Sequence, residues 1–234
     1  MRTRYGEISE DDIQTLEYKL RWYMKYGSTP SEKHRETSEA RCDYGLQYER
    51  FVGHIFSEHG FSVCYQGAKK GVEDGGIDLI ARAPFKIRLI QCKRWRIAVN
   101  TDVISRLHGA VERFIWEERR GKTSSSRLNI SGVIATSGEV ESDAEELARH
   151  EGIHVMKKLA FQPYPAIKGQ RIIADGGRFL MPWDSGYDGM ALNFRRGDRF
   201  LASVREALTE GFYYPPYHGQ ILRRLYGMRA AGEA

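Results

Sequence analysis

The apolar and polar positions of this chain alternate between a helical and a strand period. Residues 9–26 (SEDDIQTLEYKLRWYMKY) place Ile13, Leu16, Leu20, Tyr23 and Met24 at helical spacing. Ser9 stands three residues before Asp12 as an N-cap, and the stretch Gly27 to Pro30 ends the predicted helix. Residues 31–43 are polar and unpatterned, and read as a linker or a frayed helix. A second helix is expected over about 44–59, with Leu46, Phe51, Val52, Ile55 and Phe56 as its apolar side and Gly60 as its stop. The period then shortens. FSVCYQ reads as a strand, and strands at roughly 77–82 and 86–95 flank Ala83-Pro84, which suits a hairpin turn. Residues 101–120 return to the helical period, with Val103, Leu107, Val111 and Phe114 in one stripe. NISGVIATS reads as a buried strand, EVESDAEELARHEG as a helix and IHVM as a strand. This order predicts an α/β sheet sandwiched by helices.

Five of the seven prolines fall beyond residue 161, so a boundary is expected there. The chain thus divides into an N-terminal helical extension (1–40), an α/β domain (41–160) and a small, turn-rich C-terminal accessory region (161–234). In that last region Trp183, Phe194, Phe200 and Tyr213 are the candidates for a miniature core.

A net charge of +5 leans towards an acidic partner, and DNA is the first candidate. Cys42, Cys64 and Cys92 lie far apart without CxxC spacing, which argues against a zinc site or a disulfide framework and suits a reducing cytoplasm. No run approaches the roughly 18 apolar residues of a membrane helix, so no membrane partner is expected. The opening MRTRYGEISEDD turns acidic where a signal peptide is apolar.

Candidate chemistry concentrates in GGIDLIARAPFKIRLIQCKRW, residues 75–95. On a strand, Gln91 and Lys93 share a face with Cys92 opposite, and closing the hairpin brings Asp78 beside them. Glu49 interrupts the apolar pattern of the preceding helix. These residue types suit phosphodiester hydrolysis with a hard divalent cation, Mg²⁺ or Mn²⁺. Asp78 is the candidate direct ligand, and Glu49 a second or water-mediated one. The Gln91 amide oxygen and the Cys92 backbone carbonyl are further oxygen donors. Lys93 would stabilise the pentacovalent charge or orient the attacking water. Gly75 and Gly76 allow close approach of a phosphate. Lys69, Lys70, Arg94 and Arg96 would line the nucleic-acid path. Thr136 and Ser137, ending a core strand, either bond a phosphate or cap the helix that follows. Each has an ordinary alternative: Gln91 as a structural amide, Glu58 in place of Glu49, and Glu73 and Asp74 as turn residues.

GGIDLI and LIQCKRW, after YERFVGHIFSEHGFSV and before GVIATSGEVESDAEELARHEGIHVM, resemble the Mrr-type restriction endonucleases from about Tyr44 to Met156. The resemblance implies a restriction-endonuclease-like central mixed sheet flanked by helices, carrying the N-terminal extension and the small C-terminal region. It implies an acid–acid–Gln–Lys set at Glu49, Asp78, Gln91 and Lys93. It also implies a Mg²⁺-dependent DNA endonuclease acting on foreign or modified DNA. Two alternatives keep the fold: a non-catalytic DNA-binding or regulatory module, and a Holliday-junction-type resolvase. The N-terminal helix is a candidate dimerisation or docking element, and a homodimer is a candidate assembly. Residues 177–216 faintly resemble small zinc-binding modules that use cysteine ligands; this segment has none, so no zinc is expected.

Overall fold

A computed structural model describes residues 8–28, 38–66, 76–94, 97–120, 128–173 and 176–215. Two compact units make up the chain: Lys33–Tyr164, and Met1–Glu32 together with Pro165–Ala234.

The Lys33–Tyr164 unit runs α1(Ser38–Glu58), β1(Ser62–Tyr65), β2(Leu79–Ala83), β3(Lys86–Lys93), α2(Thr101–Arg119), β4(Asn129–Thr136), α3(Ser142–His150) and β5(His154–Met156). The strands form one mixed sheet in the order β1-β2-β3-β4-β5. β1, β2 and β3 are antiparallel, while β3, β4 and β5 are parallel. Parallel neighbours need a crossover, and α2 and α3 provide the two crossovers here. The register aligns Tyr65, Leu79, Ile90 and Val133 across one face, and Cys64, Ile80, Leu89 and Gly132 across the other. α1 covers the first face, where Gly53 lies against the Tyr65 ring. α2 covers the second, its Leu107 and Val111 resting on Gly132. Ile87, Leu89, Val103, Ile104, Leu107, Ile134 and Ile153 form the main core on that side.

Element boundaries differ from the expected ones for physical reasons. α1 begins at Ser38 rather than near residue 44, within a stretch lacking apolar pattern. Extending a nucleated helix adds one hydrogen bond per residue fixed, so no buried stripe is needed. β2 begins at Leu79 rather than 77, because the Asp78 side chain, not its main chain, takes the next amide of β3. In the hairpin turn Phe85 adopts a left-handed φ of 61° and stays 66% exposed, a conformation uncommon for a bulky residue.

The other unit contains the helix Glu10–Tyr26, which we call αN, and the C-terminal elements. These are β6(Ile167–Ile173), β7(Gly176–Leu180), a 3₁₀ turn (Phe194–Arg196), β8(Arg199–Leu201), α4(Val204–Thr209) and β9(Phe212–Tyr213). The region expected to be merely turn-rich thus carries a four-stranded sheet in the order β8-β6-β7-β9. Its core is not the expected aromatic set. Trp183, Phe200 and Tyr213 are only half-buried and Phe194 is exposed, while Ile167, Phe179, Met181, Tyr187, Leu201 and Phe212 are buried. Glycines interrupt the pattern of β6 and β7, while β8 and β9 are too short, at three and two residues, to show one. A Cβ on Gly169 would stand 2.8 Å from Leu201 and 3.0 Å from Phe212, so glycine lets those side chains lie flat on the sheet. αN buries Ile13, Leu16, Leu20 and Tyr23 as its spacing predicts. Within this unit Glu17 Oε1 accepts hydrogen bonds from Val204 N (2.7 Å) and Arg205 N (3.2 Å), satisfying amides at the start of α4.

α1 approaches β1 tightly at Gly53. A Cβ on Gly53 would stand 2.4 Å from the Tyr65 hydroxyl and 2.8 Å from its ring carbon, and Tyr65 is 1% exposed. Helix propensity favours alanine over glycine by about 1 kcal/mol, whereas overpacking costs about 1–3 kcal/mol. Gly53→Ala is therefore expected to lower the denaturant midpoint, and to lower it less in a Tyr65→Phe background.

Candidate active site

β3 ends beside the start of β2, and the two-residue period of the strands decides what gathers there. Asp78 is held by its main chain and its side chain at once. Its N–H donates to Ile90 O (2.9 Å), its carbonyl accepts from Gln66 N (2.7 Å), and its Oδ2 accepts from Cys92 N (2.6 Å). The carboxylate thus replaces a main-chain acceptor where the ladder stops. Even-numbered residues of β3 turn their backbone groups towards β2, whereas Lys93 O accepts from Ser137 N (3.0 Å) on the β4 side. By this alternation the Cys92 carbonyl faces the Asp78 edge.

Gln91 and Lys93 lie on the opposite face of β3 from the Cys92 side chain. Gln91 is buried, and its Oε1 has no hydrogen-bond partner among the described residues. Gly76, at φ 85°, lies against the same amide: a Cβ there would stand 3.1 Å from Gln91 Nε2. Lys93 is half-buried. Glu49 on α1 is also half-buried, with Oε2 enclosed. Burial pushes the Cys92 thiol well up; the Asp78 and then Glu49 carboxylates push it further, and the Lys93 ammonium opposes them. Asp78, Glu49 and Lys93 thus all lie within electrostatic reach of the Cys92 thiol at the end of β3.

The polar interruption in α1 is itself an interior feature. Gln47 is 1% exposed, Tyr48 0% and Arg50 7%. Tyr48 Oη donates to Leu159 O (2.9 Å), and burial pushes its phenol well up, with Cys92 adding and Arg94 opposing. Arg94, expected on the DNA path, is exposed but engages α1. Its Nη1 donates to Gln47 Oε1 (3.2 Å), and its guanidinium lies over the rings of Tyr44 (4.8 Å) and Phe161 (5.2 Å). This contact ties the helix bearing Glu49 to the strand bearing Gln91 and Lys93. Sequence reasoning missed it, although the break in apolar pattern at 47–50 was the available signal.

Thr136 pairs with Lys93 in the β3–β4 register and is completely buried. Its Oγ1 accepts from Gly138 N (3.1 Å), closing the turn after β4, while Glu141 is the N-cap of α3. Ser137 is half-buried. Lys69, Lys70, Glu73, Asp74, Gly75, Trp95 and Arg96 lie outside the described residues.

The candidate donors near this strand end are oxygens: the Asp78 and Glu49 carboxylates, the Cys92 carbonyl and the buried Gln91 Oε1. That set fits a hard divalent cation. Among the described residues no group of three or more His, Cys, Asp or Glu side chains is arranged to hold a metal.

A mixed sheet whose central hairpin carries its polar residues at one end is the architecture of the restriction-endonuclease-like class. Residues 43–163, more than half of the chain, match the Mrr_cat restriction endonuclease family model, and the chain belongs to that family. No curated protein matches it. Among solved structures, a repair endonuclease from Pyrococcus abyssi is 20% identical with a TM-score of 0.35, over 53% of this chain and 48% of that one. An EndoMS–dsDNA complex gives 19% identity and a TM-score of 0.37, over 55% of this chain and 49% of the other. The MspJI restriction endonuclease bound to an oligonucleotide gives 16% and 0.33, over 68% and 32%. This chain therefore covers about half the length of the first two and about a third of the last.

His54, one helical turn beyond Arg50, stacks on Tyr164 with ring centroids 5.2 Å apart. Burial lowers its pKa from 6.5, against a smaller upward pull from Glu58. The unfolded chain then binds this proton more readily than the folded one, so stability rises with pH in the window between the lowered folded value and about 6.5. Acidification through that window is expected to destabilise the wild type. His54→Phe, which keeps the stacked ring, is expected to flatten the slope in denaturant titrations across the window.

Proposed function

We propose that this chain is a divalent-metal-dependent DNA endonuclease that hydrolyses phosphodiester bonds in the restriction of foreign or modified DNA. The observation carrying the proposal is the Asp78–Cys92 hydrogen bond of 2.6 Å, which fixes a carboxylate at the strand end bearing Gln91 and Lys93. Membership in the restriction endonuclease family supports the same reading.

Asp78 and Glu49 would hold Mg²⁺ or Mn²⁺ with Gln91 Oε1 and the Cys92 carbonyl. Bound there, the cation supplies Lewis-acid polarisation of the scissile phosphate and acidifies the attacking water. The protein's own groups do the rest. Asp78 is oriented by the Cys92 amide and is anchored through the β2–β3 ladder, so its position does not depend on a mobile rotamer. Gln91 is confined by Gly76 and by its burial. Lys93 carries a positive charge at the same strand end, where charge grows on the phosphorus oxygens in the transition state, or where the attacking water must be oriented. Arg94 keeps the helix bearing Glu49 in register with β3.

Lys93→Ala is expected to lower cleavage of duplex DNA by about 10²- to 10³-fold, the usual loss of one transition-state donor. Asp78→Ala is expected to abolish cleavage, and EDTA to abolish it reversibly in the wild type. The measurement is plasmid nicking and linearisation with Mg²⁺ and with Mn²⁺, on methylated, unmethylated, single-stranded and four-way-junction substrates. Equal cutting by wild type and Lys93→Ala would remove this assignment. Preference for the junction would point to a resolvase, and binding without cutting to a non-catalytic DNA module.

A further inference from the structure

The C-terminal unit carries a turn that nothing in the nuclease reading uses. Residues Asn193–Asp198 project the 3₁₀ turn Phe194–Arg196, in which Phe194, Arg195 and Arg196 are all exposed. The turn is built rigidly. Asp198 is 4% exposed, its Oδ1 accepting from Arg171 N and its Oδ2 from Asn193 N, each at 2.8 Å. Arg196 N and Asp198 N both donate to Asn193 O, at 2.9 and 3.3 Å. Gly197, at φ 85°, reverses the chain and lies against the Arg171 stem.

The charges around this turn are distributed unevenly. The described part of residues 165–215 holds six arginines. Arg171 and Arg199 pair with Glu210, at 3.5 and 3.2 Å. Arg205 pairs with Glu10, and Arg178 donates twice to Gln170 Oε1. Only the side chains of Arg195 and Arg196 have no ion pair or hydrogen bond among the described residues. A buried aspartate thus fixes the turn from below, while its two cations are left without a local anion. The Phe194 ring, 6.4 Å from Phe200, adds an apolar edge that is 38% exposed. Consecutive residues of a 3₁₀ turn point about 120° apart, so the two guanidiniums spread along a strand rather than converging on one ion. A preset turn also loses little freedom on binding.

We propose that Arg195 and Arg196 are a DNA-backbone contact of the C-terminal unit, each neutralising one phosphate of a duplex, with Phe194 against the sugar edge. This rests on the reading of the chain as a DNA endonuclease, but it is tested by binding rather than by cutting. The guanidinium is suited to paired contacts with phosphate oxygens and remains charged at any working pH.

The experiment measures the affinity of the full chain for a 20-base-pair duplex in EDTA, over a range of salt concentrations. Cleavage with Mg²⁺ or Mn²⁺ is scored separately. Each phosphate contact contributes a slope of about −0.9 in log affinity against log salt, so Arg195→Ala/Arg196→Ala is expected to flatten the slope by about 1.8. Arg195→Lys/Arg196→Lys keeps both charges and is expected to keep the slope, while thermal melting verifies that each variant folds. An unchanged slope in the double alanine variant overturns the proposal. So does a wild type that binds no DNA, or one that binds acidic-lipid vesicles in its place. A wild type that binds duplex through these arginines but cuts nothing overturns the nuclease reading and leaves this contact standing.

Discussion

The hydrogen bond from Cys92 N to Asp78 Oδ2 is the constraint around which the Lys33–Tyr164 unit is organised. In an ordinary hairpin the amide of Cys92 would meet a main-chain carbonyl of β2. Here a side chain takes that place, so the ladder ends and a carboxylate is fixed beside the strand end. The same substitution shortens β2, directs the Cys92 carbonyl towards the acid and holds the acid near the Gln91–Lys93 pair. A buried amide left without a partner costs about 1–3 kcal/mol, so the carboxylate has a structural reason to stay where its chemistry needs it.

Polar side chains inside α1 follow from the same geometry. A helix that only covered a sheet would bury an apolar stripe, yet Gln47 and Arg50 are buried on α1 beside Glu49. Burying polar groups is tolerated where they are hydrogen-bonded. Arg94 reaches from the end of β3 to Gln47, and Tyr48 reaches the Leu159 carbonyl, so the helix is tied to two later segments near its glutamate. Packing between aliphatic faces tolerates small slips, whereas these directional bonds do not.

The C-terminal unit uses the same device. Lys168 is 2% exposed, and its ammonium donates to the carbonyls of Tyr187 (2.9 Å) and Met190 (3.0 Å) while lying over the Tyr187 ring (4.4 Å). Asp184 accepts from Met181 N and from Tyr214 Oη, and burial raises its pKa against those bonds. Such groups order the irregular chain between β7 and the 3₁₀ turn, where regular backbone pairing is absent among the described residues. Loops fixed by buried side chains present exposed residues in defined positions, as at Phe194–Arg196.

By itself the sequence determined the faces. Period identified the helices and the strands of the Lys33–Tyr164 unit, the Ala83-Pro84 turn marked the hairpin, and strand parity put Gln91 and Lys93 on one side. Local pattern could do this because a side chain's direction depends on its own element's geometry. What tertiary structure decided was which distant groups meet. Tyr48 with Leu159, Arg94 with Gln47 and Glu17 with Val204 are bonds between segments far apart in the chain, and no local period encodes them. The C-terminal core was misread for the same reason. Its glycines look like breaks when read along the chain, but they make room for Leu201 and Phe212, which arrive from other strands. A pattern records how one segment divides its sides; only packing determines what each side touches.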